Sequence, residues 1–198
     1  MKNIAVKKYR ASLLLFVFFL ASGTAFAQQK AFNWTLALQN FKTGETLPFS
    51  GPVQSWTGEQ FRLVLSPDTP CFAYVIIESG EDLTVLHSGS MKSEEPWYSP
   101  VLELSPPRGT ENFFVVTSRE EQKNLAQRIS AFNSNSGSTQ KRALLNEIFR
   151  LRSDVSKFRE APEKPVLMGG SSRGTPEKNQ GVEYSGLETY VKTISIEH

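Results

Sequence analysis

The chain has 198 residues, with 22 Lys or Arg against 20 Asp or Glu and a formal net charge of +2. Four of the basic residues, Lys2, Lys7, Lys8 and Arg10, stand in the first ten positions with no acidic residue among them, so the remainder is slightly acidic. That excludes nucleic-acid binding, which depends on clustered cations releasing counterions from a phosphate backbone. Cys71 is the single cysteine, so no internal disulfide can form and stability has to come from burial.

The basic N-terminus runs into the apolar stretch Leu13 to Leu20 and then into small residues ending Ala25-Phe26-Ala27. This is the three-part pattern of a cleavable secretory signal peptide, residues 1–27, with cleavage between Ala27 and Gln28. The apolar stretch is well short of the roughly 20 residues of a spanning helix, so no permanent transmembrane segment is expected after cleavage, although a retained anchor is the alternative. The new N-terminal residue would be Gln28, not a Cys that could carry a lipid. The mature chain, 28–198, is expected to form one domain, periplasmic or secreted.

Beyond the leader, Trp34, Leu36 and Leu38 alternate with Thr35 and Ala37, which predicts a strand with one buried face. Residues 44–58, rich in Gly, Pro, Ser and Thr, read as a loop. Phe61, Leu63 and Leu65 then alternate with Gln60, Arg62 and Val64, and Ser66-Pro67-Asp68-Thr69-Pro70 supplies a turn. Cys71 to Glu78 is a nearly continuous apolar run of strand length, Ser79 to Asp82 a turn, and Leu83 to His87 a short strand. Ser88 to Pro96 reads as a loop.

Val101 to Leu104 and Phe113 to Thr117 flank the turn Pro106-Pro107-Arg108-Gly109. Ser118 and Glu121 have capping-box spacing, which predicts a helix from Arg119 to Phe132. A second helix, 139–158, follows from the stripe Leu144, Ile148, Leu151, Val155 and Phe158, spaced to cover a sheet or to dock a partner. Pro162 and Pro165 stop it. Val166-Leu167-Met168 is a short strand, Gly169 to Gln180 a polar loop, and Tyr190 to Ile196 a terminal strand. Strands, a helical pair, then strands again imply an α+β or mainly β fold: an antiparallel β-sandwich or curled sheet with an inserted pair of helices.

The strand around Phe61-Arg62-Leu63, the Tyr74 strand, the turn Pro107 to Glu111 leading into Phe113 to Ser118, and the helix after it resemble the family called domain of unknown function 4384, best over 56–130. The ending Tyr190 to His198 is similar to the close of some exported, spirochaete-like members. The resemblance implies an extracytoplasmic accessory domain and transfers no catalytic residue.

Chemistry is sparse. With only His87 and His198, no histidine metal cluster is possible, and a mononuclear site would need carboxylates to complete its ligand set. His87 with Ser88 and Ser90 lacks triad geometry, because strand neighbours face opposite ways. Gly169-Gly170-Ser171-Ser172-Arg173-Gly174 lacks the Lys-Ser/Thr end of a phosphate loop and reads as a hairpin loop. The adjacent pairs Glu94-Glu95 and Glu120-Glu121 diverge and read as solvated charge. No cofactor is expected.

Trp97-Tyr98 between Pro96 and Pro100 stands out, since aromatics held by prolines either anchor a ligand or close one end of a sandwich. Trp56 after Gly51-Pro52 is a weaker candidate of the same kind, its ordinary place being the core. The leading expectation is a non-enzymatic exported module binding an envelope protein or polymer through Trp97, Tyr98 and Trp56. The alternatives are an envelope-acting hydrolase assembled from His87, Asp82 and Glu111, and a structural envelope subunit docked through its second helix.

Overall fold

A computed structural model of the chain describes residues 32–156, 164–167, 180–186 and 188–198. The expected leader and its Ala27/Gln28 junction lie outside these residues, as do Phe158, Pro162, Met168 and the glycine-rich run 169–174.

Twelve strands and two helices make up the described fold: β1 (Phe32–Asn40), β2 (Thr46–Leu47), β3 (Val53–Gln54), β4 (Gln60–Pro67), β5 (Cys71–Ser79), β6 (Asp82–Met91), β7 (Trp97–Tyr98), β8 (Leu102–Glu103), β9 (Thr110–Ser118), α1 (Lys123–Ser134), α2 (Ser138–Ser156), β10 (Lys164–Leu167), β11 (Gln180–Gly186) and β12 (Thr189–Glu197). The first sheet runs β10-β11-β1-β4-β7, with β2 added to β1 and β8 to β4. The second runs β3-β12-β9-β5-β6. All pairs are antiparallel except β3 with β12. The protein is mainly β: two sheets packed on each other, with the helical pair inserted between β9 and β10.

The apolar patterns explain the layers. Trp34, Leu36 and Leu38 of β1 and Phe61, Leu63 and Leu65 of β4 point into the space between the sheets, as their alternation requires. Opposite them stand Cys71, Ala73 and Val75 of β5, Phe113 and Val115 of β9, and Ile194 and Ile196 of β12. The intervening residues Tyr74, Ile76, Phe114 and Val116 face the other way, into a second core with Leu125, Ile129 and Phe132 of α1 and Leu144, Ile148 and Leu151 of α2. β5 and β9 are therefore buried on both faces, the physical reason their sequences run apolar without alternation. Val155 of the helical stripe has no described side chain.

Aromatic residues close both flanks of the sandwich. On one, Trp34 stacks on Phe32 at 4.8 Å and on Tyr184 of β11 at 5.7 Å between ring centres, and Tyr190 of β12 packs against Trp34 at 5.2 Å. Gly186 leaves room for them: a Cβ there would lie 3.1 Å from the Phe32 ring. On the other flank, Trp97 of β7 meets His87 of β6 at 5.2 Å, so one ring contact joins the two sheets.

Local details differ from the expectations at several points. Loop 44–58 contains β2 and β3, β6 continues to Met91 through the segment read as loop, and β11 is an additional strand. A register shift between Val75 and Ile76 and a φ of 154° at Gly89 let β6 stay paired along that polar stretch. The capping box does not form. Ser118 ends β9 and its hydroxyl donates to the Glu188 carbonyl at 3.1 Å, while α1 starts after Gln122.

Candidate binding cleft

The three aromatic candidates part company in the structure. Trp97 and Tyr98 are strand residues, not loop residues: β7 pairs Tyr98 with Val64 and Trp97 with Leu65. Ser99 extends the pairing, its N–H donating to the Leu63 carbonyl at 2.9 Å and its buried hydroxyl accepting the Leu63 N–H at 3.0 Å. Trp97 is half-buried against the inter-sheet core and closes the sandwich flank. Tyr98 faces out, 50% exposed, with the Arg62 guanidinium 4.9 Å from its ring centre and 5.7 Å from that of Phe41.

Trp56, whose ordinary place would be the core, is instead 72% exposed. It rides a short loop that the fold holds firmly. The Glu59 carboxylate accepts hydrogen bonds from the Ser55 hydroxyl and, at 3.4 Å, from the Trp56 N–H. The Glu59 N–H donates to the Trp56 carbonyl at 3.0 Å, and Gly58, at φ +88°, donates to the Leu104 carbonyl at 2.7 Å. The positive φ favours glycine there because a Cβ would crowd the backbone. The Ser55 N–H donates to the Glu197 carbonyl at 2.9 Å and ties the loop to β12.

Beside Trp56 opens a cleft of about 510 Å³ lined by Gln54, Ser55, Trp56, Thr57, Arg108, Glu197 and His198. It lies where β12 ends, β3 pairs with it and the turn before β9 passes. Gln54 Nε2 donates to Glu197 Oε2 at 2.6 Å, fixing both planar groups. Gly109 and His198 exchange backbone hydrogen bonds of 3.0 and 3.1 Å, which sets the Arg108 turn against the rim.

The His198 side chain is 0% exposed, its Nδ1 3.4 Å from Thr57 Oγ1 and its Nε2 3.4 Å from Glu111 Oε1. Glu111 Oε1 also accepts from the Ser79 hydroxyl at 2.9 Å, while its Oε2 is buried without a hydrogen-bond partner among the described residues.

His87, Asp82 and Glu111 are not brought together. Asp82 and Glu111 flank Ser79 across β5, whereas His87 stands opposite Val75, four positions away, or roughly 13 Å at strand rise. The histidine that meets Glu111 is His198. Burial holds the His87 imidazole below its ordinary pKa, against a hydrogen bond with the Gly89 backbone that pulls the other way. Cys71 is buried, and desolvation raises its thiol to about 11.

Glu94, Glu95, Glu120 and Glu121 are exposed, with Glu95 3.3 Å from Lys92. Among the described residues no group of three or more His, Cys, Asp or Glu is placed to hold a metal ion, and no helix is long and apolar enough to cross a membrane.

The residues missed in the sequence are Gln54, Arg108, Glu197 and His198. Gln54 and Glu197 are 143 positions apart and meet only through the parallel β3–β12 pair, which no local pattern announces. No family model, curated protein or solved structure matches the chain, so the family resemblance rests on the residues quoted for it.

Proposed function

We propose that the protein is a non-enzymatic, exported recognition module that holds a protein or cell-envelope component at the Trp56 cleft. One observation carries the reading: a large aromatic stands in solvent on a loop clasped by Glu59, beside a cleft in which the Gln54 and Glu197 side chains orient each other. Placing an indole in water has no benefit to folding, and rigid support lowers the entropy lost on binding. The cleft volume falls within the roughly 300–1,000 Å³ of ligand sites. Tyr98 with Arg62 and Phe41 forms a second exposed aromatic group that supports recognition as the general role. Export and a periplasmic or secreted location are part of the same proposal and rest on the N-terminal pattern of the sequence.

The test is retention of the purified full chain by isolated envelope fractions, measured by co-sedimentation. Retention that falls at least tenfold in Trp56→Ala, with an unchanged unfolding midpoint, supports the reading. Retention equal in wild type and variant overturns it.

A further inference from the structure

Resting on that reading of the cleft, we infer that its ligand is a neutral saccharide, with one sugar ring stacked on Trp56 and neighbouring hydroxyls held by Arg108, Gln54 and Glu197. The indole presents an open π face, negative at its centre, which attracts the weakly positive C–H groups on the flat side of a pyranose. Beside Ser55, Thr57 and His198, the polar wall carries three planar groups. The Arg108 guanidinium donates only, the Glu197 carboxylate accepts only, and the Gln54 amide does both.

Vicinal hydroxyls, each donor and acceptor at once, suit such a mixed set, because paired oxygens can engage the Arg108 fork while an O–H donates to the carboxylate. The 2.6 Å bond between Gln54 and Glu197 holds two of these groups in place before any ligand arrives. Charge decides against ionic ligands. Arg108 and Glu197 offset each other at the rim, and Glu59 and Glu111 stand behind it, so an anion meets carboxylates while a cation meets Arg108. Trp56, Tyr98 and Phe41 are all exposed, and Trp56 borders the cleft together with these polar groups.

The experiment titrates the purified full chain with neutral oligosaccharides, namely β-1,4-linked glucose and N-acetylglucosamine oligomers, α-1,4-linked glucose oligomers and mannan oligomers. Polyuronate and sulfated oligomers serve as charged probes. Binding is read by calorimetry and by tryptophan emission, to which Trp34 contributes from the core and Trp56 from solvent. The expected result is saturable binding of at least one neutral oligomer with a blue shift in emission. Affinity should fall tenfold or more in Trp56→Ala, fall several-fold in Arg108→Ala, survive largely in Trp56→Phe, and stay unchanged in Tyr98→Ala.

The inference is overturned if no neutral oligomer binds, if charged oligomers bind in preference, or if binding persists in Trp56→Ala. The two readings fail separately. Protease-sensitive retention by envelope fractions that needs Trp56, without saccharide binding, removes the saccharide and leaves the cleft, whereas retention indifferent to Trp56 removes both.

Discussion

The Tyr74 hydroxyl accepts a hydrogen bond of 3.0 Å from the backbone N–H of Gln122, so a side chain of the interior strand β5 fixes the point at which α1 begins. The N-cap position makes no side-chain capping bond, and Tyr74 satisfies a backbone donor just ahead of the helix. Tyr74→Phe keeps the ring and removes that acceptor. It is expected to lower stability by about 1 kcal/mol, with faster amide exchange concentrated in the first turn of α1. Exchange unchanged there would show that the bond does not hold the helix start.

Trp97 and Tyr98 are adjacent, yet their substitutions should separate cleanly. Trp97→Ala removes an aromatic packed on the inter-sheet core and on His87, and should destabilise by about 2–4 kcal/mol. Tyr98→Ala, at an exposed site, should shift stability by less than about 1 kcal/mol. Denaturant unfolding of both variants checks the contrast, and equal losses would contradict it.

α2 lies on the second sheet through Leu144, Ile148 and Leu151, all buried. Ile148→Ala should cost about 2–5 kcal/mol, as expected for a buried aliphatic cavity. Phe149, 46% exposed and edge-on to Phe114 at 5.8 Å, should cost distinctly less on truncation. Thermal unfolding of the two variants measures the difference.

Acid should weaken the fold through His87. Its folded pKa lies below the ordinary 6.5, so the unfolded chain takes up the proton more readily. The stabilising difference is fully present above pH 6.5 and is lost as pH falls through the depressed folded value. Replacing the imidazole in His87→Phe should flatten the stability–pH curve in that window. An unchanged slope would assign the acid sensitivity elsewhere.

Base should act on Cys71 with the opposite sign. The raised thiol favours the protonated form in the fold, so its stabilising difference is complete below pH 9.0 and declines toward about pH 11. The stability difference between wild type and Cys71→Ala should therefore change over that interval. At pH 8 the native thiol should react with alkylating reagents far more slowly than the unfolded one, because it is both protonated and buried.

Alternation in Phe61, Leu63 and Leu65 was enough to orient β4, since a half-buried strand writes its faces into its sequence. The stripe Leu144, Ile148 and Leu151 placed α2 on a sheet for the same reason. Where tertiary partners decide, the sequence was silent or pointed elsewhere. Ser118 has the spacing of a cap but is taken by Glu188 and Thr189, and Trp97 sits between prolines yet pairs with Leu65. Trp56 is only the weaker aromatic candidate in the sequence, with the core as its ordinary place, whereas its exposure and its neighbours Arg108 and Glu197 follow from pairings across most of the chain.

β11 and β12 settle when folding can finish. β11 lies between β10 and β1, and β12 lies between β3 and β9, so each sheet receives an interior member from residues 180–197. Until β11 and β12 are in place, β1 and β9 each keep an open flank, and neither layer has its full set of partners. Such distant pairings make for slow folding. A chain of this design stays unlocked until residues 32–40 and 110–118 have met partners from residues 180–197.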